Sequence, residues 1–175
     1  MVAVVALLAL PCAARAQSTA PSPSELAAIA KAFPKAAVVT AADVSKEDCG
    51  PTPNPGFVEG DFNGDGQQDF AVLLNNGETG KVVDWQGKKL KETRYVFAIF
   101  VNKGDGTFVV RHVDRWVESG PLIALISPQP AGRIESFVDK SITISNPGVA
   151  FAWCGKSEAV YYMSANHVRS FWVSD

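Results

Sequence analysis

Asp61, Asn63, Asp65 and Asp69 place side-chain oxygens at positions 1, 3, 5 and 9 of one short stretch, with Gly66 in the sixth place. That spacing is the ligand spacing of a calcium loop. Calcium is a hard cation that takes about 6–8 oxygens at ~2.3–2.6 Å. A chain coiling around such an ion turns every second side chain inward. The backbone carbonyl of Gln67, at position seven, supplies a further oxygen, and Gly66 permits the sharp turn that brings it round. Three carboxylates this close repel one another without a cation between them. Magnesium suits the loop less, because it demands tight octahedral geometry and keeps its waters. The twelfth-position glutamate of a helix-loop-helix site is absent, since Val72 stands there inside an apolar run. The loop therefore feeds a strand, and losing that bidentate ligand points to affinities of roughly 10⁻⁴–10⁻³ M. The plainer structural alternative is a turn without metal, because Asp, Asn and Gly favour turns in any case.

Other chemistries find less support. No Gly-x-Ser-x-Gly, His-Glu-x-x-His or Gly-x-x-x-x-Gly-Lys-Ser/Thr motif occurs, which leaves the hydrolase-elbow, zinc-protease and P-loop readings without residues. His112 and His167 lie far apart and share no motif. A carboxylate pair for glycoside cleavage is a spatial arrangement that sequence does not reveal, and Glu59 with Asp84 is one conceivable pair. Trp85, Trp116, Trp153 and Trp172, with Tyr161 and Tyr162, form either a carbohydrate or peptide platform or, more simply, core and cross-strand pairs. The longest basic cluster is Lys88-Lys89-Leu90-Lys91, which reads as a solvated turn. Without a basic footprint the chain is not expected to bind nucleic acid.

Positioning such a loop takes a stable scaffold, and the 175 residues suffice for one domain. At 47% hydrophobic and 19% charged, the composition is that of a globular chain. Residues 1–16 read as a secretory signal: Val2 to Leu10 is an apolar run, and Ala14-Arg15-Ala16 is a small-x-small cleavage triplet. The run is too short to span a bilayer, which needs ~20 residues. No Lys or Arg precedes it, so either the amino group of Met1 supplies the positive charge or the true start lies upstream. Cys12 lacks the leucine-small-small approach of a lipidation site. Removing Arg15 leaves 15 basic against 18 acidic residues, net −3. The expected location is periplasmic or secreted, with no transmembrane segment in the mature chain. Cys49 and Cys154 remain after cleavage, and an even count in an exported chain implies a disulfide.

The element pattern is mainly β. Residues 17–22 form a linker. Ser22 caps a helix over residues 23–33, with Pro23 at its first position, Glu25 completing a capping box, and Leu26, Ile29, Ala30 and Phe33 as its apolar stripe. Short strands then follow over residues 36–40, 70–74, 95–101, 107–113, 122–126, 141–145, 149–153, 158–163 and 168–173. Proline-rich residues 43–56 read as a loop, and residues 75–94 as a long surface loop or irregular hairpin. Without helical crossovers the expectation is an antiparallel sheet fold, sandwich- or barrel-like, spanning 23–175 as a single domain with one short N-terminal helix.

Gly60-Asp-Phe-Asn-Gly-Asp-Gly-Gln-Gln-Asp-Phe-Ala-Val72, then Val96-Phe-Ala-Ile-Phe-Val101 and Gly104-Asp-Gly-Thr-Phe108, resembles an FG-GAP/VCBS-type repeat. The resemblance covers residues 58–110, and the whole chain is similar to small exported bacterial proteins with one such repeat. It implies a single calcium hairpin like one propeller blade, with Asp61, Asn63, Asp65 and Asp69 on Ca²⁺. The functional expectation is an exported, non-enzymatic calcium-binding module of the cell envelope that binds another protein or a glycan. The alternative is an exported hydrolase, for example acting on glycans, whose carboxylate pair is hidden in the sequence.

Overall fold

The computed structural model describes residues 20–138 and 140–174. The expected signal segment 1–16 and the first half of the linker, residues 17–19, lie outside the described residues. Helix α1 (Pro23–Ala32) is followed by strand β1 (Ala37–Val38), a one-turn helix α2 (Lys46–Cys49) and strand β2 (Phe57–Gly60). Two long strands come next, β3 (Asp69–Trp85) and β4 (Lys88–Asn102), then β5 (Phe108–Ser119), β6 (Ala124–Gln129), β7 (Gly132–Ile134) and β8 (Ile142–Ile144). Strands β9 (Gly148–Trp153), β10 (Ser157–Ser164) and β11 (His167–Ser174) complete the order.

The fold is mainly β with antiparallel sheets, and it is an open sandwich instead of a closed barrel. One sheet runs β1-β3-β4-β5, with β2 also pairing along β3; the other runs β11-β10-β9-β6; and β7 pairs with β8. Strand periodicity sorts the side chains into layers. Phe70, Val72 and Leu74 of β3 and Val96, Ala98 and Phe100 of β4 pack with Ile29 and Phe33 of α1. Their alternates Ala71, Leu73, Tyr95, Phe97 and Ile99 pack against Ala124, Ile126, Val149 and Phe151 of the second sheet. A third cluster joins Ile134 and Ile144 of the β7–β8 pair to Ala150, Val160 and Phe171 on the far face of that sheet. The molecule is thus four layers deep: helix, sheet, sheet, hairpin. Burial on both faces explains why Phe70 to Leu74 and Tyr95 to Val101 read as unbroken apolar runs.

Helix α1 starts as its sequence dictates. Ser22 accepts from the Glu25 N–H, and Glu25 Oε2 accepts from the Ser22 N–H at 2.6 Å. That reciprocal bond lets Glu25 be buried. Leu26, expected on the apolar stripe, is 48% exposed, because the sheet reaches only as far round the helix as Ile29 and Phe33. Three further differences concern the stretches read as loops or turns. Residues 46–49 form α2, too short for any periodicity to show. Residues 75–94 continue β3 and β4 outward as one long hairpin, with register irregularities between Asn75 and Val82. Strand β5 runs on to Ser119, and there it pairs with Glu92.

Cys49 and Cys154 form the expected disulfide, with Cα atoms 5.0 Å apart and a sequence separation of 105. It ties the end of α2 to the turn after β9, and so links the two sheets' connections. No helix among the described residues is long and apolar enough to cross a membrane.

Candidate functional site

The acidic loop is held at its mouth by the pairing of Gly60 on β2 with Asp69 on β3. Phe62 anchors it from within: its ring is buried in the core between the sheets and lies so close to Gly60 that a Cβ there would meet it at 2.7 Å. Gly64 and Gly66 turn the backbone with φ of 78° and 82°. Gly64 also rests on Asn146, whose side chain a Cβ would meet at 2.7 Å. The loop therefore bridges the first sheet and the turn between β8 and β9.

Within the loop the oxygens face inward. Asp61 Oδ1 accepts from the N–H groups of Gly64 at 2.7 Å and Asp65 at 3.0 Å, and Oδ2 accepts from Gly66 at 2.8 Å. Asn63 Oδ1 accepts from the Asp65 N–H at 2.9 Å, while Asn63 Nδ2 donates to Asp65 Oδ2 at 2.9 Å. Asp65 Oδ1 accepts from the Gln67 N–H at 2.8 Å. Asp61, Asn63, Asp65 and Gln67 thus belong to one hydrogen-bonded ring.

Asp69 borders that ring from the strand side, close to Asn63 and Asp65. It is fully buried, and its oxygens accept from the N–H groups of Phe62 at 3.0 Å and Asn102 at 2.9 Å. It consequently pins both the acidic loop and the β4–β5 turn. Burial pushes its pKa up from 3.8 to about 6, with the Asp65 charge adding to the rise and the backbone N–H bonds opposing it. Sequence spacing puts Asp69 beside the other three oxygens; here its carboxylate also accepts from the N–H groups at the strand ends. Among the described residues, no three His, Cys, Asp or Glu side chains converge as a group that could hold a metal ion.

The chemistry of the donor set still suits a hard cation. An ionised carboxylate offers about four lone-pair sites and an amide oxygen two. The bonds above leave at least one such site on each of Asp61, Asn63, Asp65 and Asp69. Asn63 and Asp65 are bonded to each other, so admitting an ion means exchanging that amide–carboxylate contact for metal–oxygen contacts.

The chain matches no protein-family model, and no curated protein or solved structure matches it significantly.

Beside the loop lies an open cleft of about 490 Å³, walled by Asn63, Asp65 and Gln67 on one side and by Asn102, Lys103 and Arg111 on the other. Sequence reading missed this cleft, because Arg111 and the loop are joined only by strand pairing. It also missed a polar cluster between the sheets. His112 Nε2 lies 2.7 Å from Asp114 Oδ2, and the Tyr161 hydroxyl donates to the same oxygen at 3.0 Å. Burial and the Asp114 charge both push the Tyr161 pKa up. His112 packs edge-on against Phe97, which makes it a packed strand histidine.

Other candidates are not brought together. Glu59 sits opposite Phe70 at the start of β3, and Asp84 lies near its far end. At ~3.3 Å per residue those positions are tens of ångströms apart, far beyond the ~5–9.5 Å of a glycosidase pair. The tryptophans do not make one platform. Trp116 and Trp153 meet edge-on at 5.2 Å and pack against the core between the sheets, as do Tyr161 and Phe151. Trp85 and Trp172 are exposed on separate elements.

Proposed function

We propose that this chain is an exported calcium-binding β domain that acts by binding, without catalysis, in the cell envelope. One observation carries the reading: the Asp61 carboxylate is held at the centre of its own loop by three N–H groups, with the Asn63 and Asp65 oxygens around it. Such a loop is organised around negative charge, and its carboxylates lie near one another at a cost that a divalent cation offsets. Bound there, Ca²⁺ supplies charge neutralisation and locks the loop between the sheets. Asp61, Asn63, Asp65 and Asp69, with the Gln67 carbonyl, are its ligands in this reading. The neighbouring cleft, lined by amides and by Arg111 and Lys103, suits a partner rich in hydroxyl or carboxylate groups, such as a glycan or an acidic protein segment.

Calorimetric titration with Ca²⁺, paired with thermal melting in EDTA, tests the proposal. The expected result is a one-site heat signal and a melting temperature raised by the ion, both lost in Asp65→Ala. If Asp65→Ala keeps both, the loop is a metal-free turn.

A further inference from the structure

Among the described residues, no third strand pairs with the outer part of the β3–β4 hairpin. Strands β1 and β2 pair with β3 only as far as Asn75, and β5 meets β4 only from Glu92 inward. Residues 82–91 pair with each other, through Val82↔Lys91, Val83↔Leu90, Asp84↔Lys89 and Trp85↔Lys88, and at the inner end of this ribbon Gly120 donates its N–H to the Lys91 carbonyl at 3.1 Å and lies beside Leu90. Gln86 and Gly87, both at positive φ (51° and 78°), make the tight turn at the apex. An unsupported two-stranded ribbon is marginal in water, yet this one carries Val82 at 57% and Trp85 at 62% exposure.

Its charge is as distinctive as its apolar tip. Residues 81–91 hold four lysines and one aspartate, net +3, while the whole chain carries −2, which leaves −5 for the rest. Lys91 pairs with Glu78 at 2.9 Å. Among the described residues Lys81, Lys88 and Lys89 form no ion pair. The Asp84 carboxylate accepts from the Gly87 N–H and so serves the turn. Lysines on bare strand edges do guard against edge-to-edge pairing. That role gives no reason for an exposed tryptophan at the apex.

We propose that this arm docks on an anionic lipid bilayer. Charge complementarity selects the surface: an arm of +3 on an acidic body is drawn tip-first to a negative plane and holds the rest of the molecule away from it. Tryptophan favours the level of the lipid headgroups, where its ring is buried and its N–H stays wet. Lysine stems lie along apolar surface while their ammonium groups reach the phosphates. Two strands have no third layer to form a pocket, so a flat interface fits the apex better than a protruding side chain does.

Co-sedimentation of the full chain with vesicles of phosphatidylcholine alone, or mixed with phosphatidylglycerol, tests the assignment at low and high salt. Partition onto the anionic vesicles should be stronger by on the order of tenfold or more and should fall with salt. The double variant Lys88→Glu/Lys89→Glu should lose that preference. Brominated acyl chains should quench tryptophan emission in the parent and much less in Trp85→Phe. Equal or absent partition onto the two vesicle types overturns the proposal, as does undiminished binding by the double variant. Self-association that the charge reversal abolishes, with no vesicle binding, assigns the arm to a second copy of the chain. If Trp85→Phe fails to fold, the lysine variant alone decides.

Discussion

The same two strands, β3 and β4, live in two environments. Near the acidic loop, Phe70 stacks on Phe100 with ring centroids 4.4 Å apart, and Leu73 and Phe97 are wholly buried between the layers. Beyond Asn75 the register becomes irregular, the flanking strand β5 ends its pairing at Glu92, and Val82 and Trp85 face solvent. The difference teaches that strand pairing alone does not set the burial of a side chain. The number of layers above and below does. Helix α1 and the second sheet sandwich the inner half, and no layer among the described residues covers the outer half.

If packed layers carry the stability, breaking the link between the sheets has the largest effect. Replacing Cys49 and Cys154 by alanine should lower unfolding free energy by roughly 4–5 kcal/mol on the chain-entropy model for a loop of this size. Urea denaturation of the parent and the variant measures it. Phe97→Ala, in the inner half, should cost about 3–5 kcal/mol. A loss under 1 kcal/mol would show that the inner half is less tightly packed than its burial implies.

The acidic loop, at the inner end of β3, comes next. Calcium at about 100 times Kd should add ~2.7 kcal/mol to the parent and nothing to Asp65→Ala, read by melting with and without EDTA. Asp69 supplies a pH signature for the same end. Its folded pKa of about 6 lies above the ordinary 3.8. The folded state therefore holds this proton more tightly than the unfolded one. In EDTA, its contribution to stability should rise as pH falls from about 6 toward 3.8 and then level off. Asp69→Asn should flatten that slope in denaturant titrations across the same window. The smallest effect belongs to the outer half: Trp85→Ala should change stability by no more than about 0.5 kcal/mol. A loss comparable to that of Phe97→Ala would erase the distinction between the two halves.

Much of this was legible without coordinates. The Ser22–Glu25 capping box and the strands flanking the Gly104 and Asn166 turns follow from short-range rules that spacing expresses directly, and the Cys49–Cys154 pair follows from the count of two cysteines left after the expected cleavage. The oxygens of Asp61, Asn63 and Asp65 do share one loop, because alternation and two glycines dictate local curvature. Residues 75–94 were ambiguous for a physical reason. An unsupported ribbon needs no buried face, so its sequence carries no clean alternation.

Sequence alone determined the helix start, most of the buried strand segments, which cysteines meet and which loop gathers negative charge, since each depends on residues close in the chain or on a count, whereas β2, β7 and the outer halves of β3 and β4 carried no such mark. Tertiary structure decided that Asp69 turns to the Phe62 and Asn102 N–H groups, that Asp114 gathers His112 and Tyr161, and that half of one hairpin stands bare. Those outcomes depend on which sheet faces which, and that is set by the sum of many weak packing contacts between distant residues, none of which leaves a local mark.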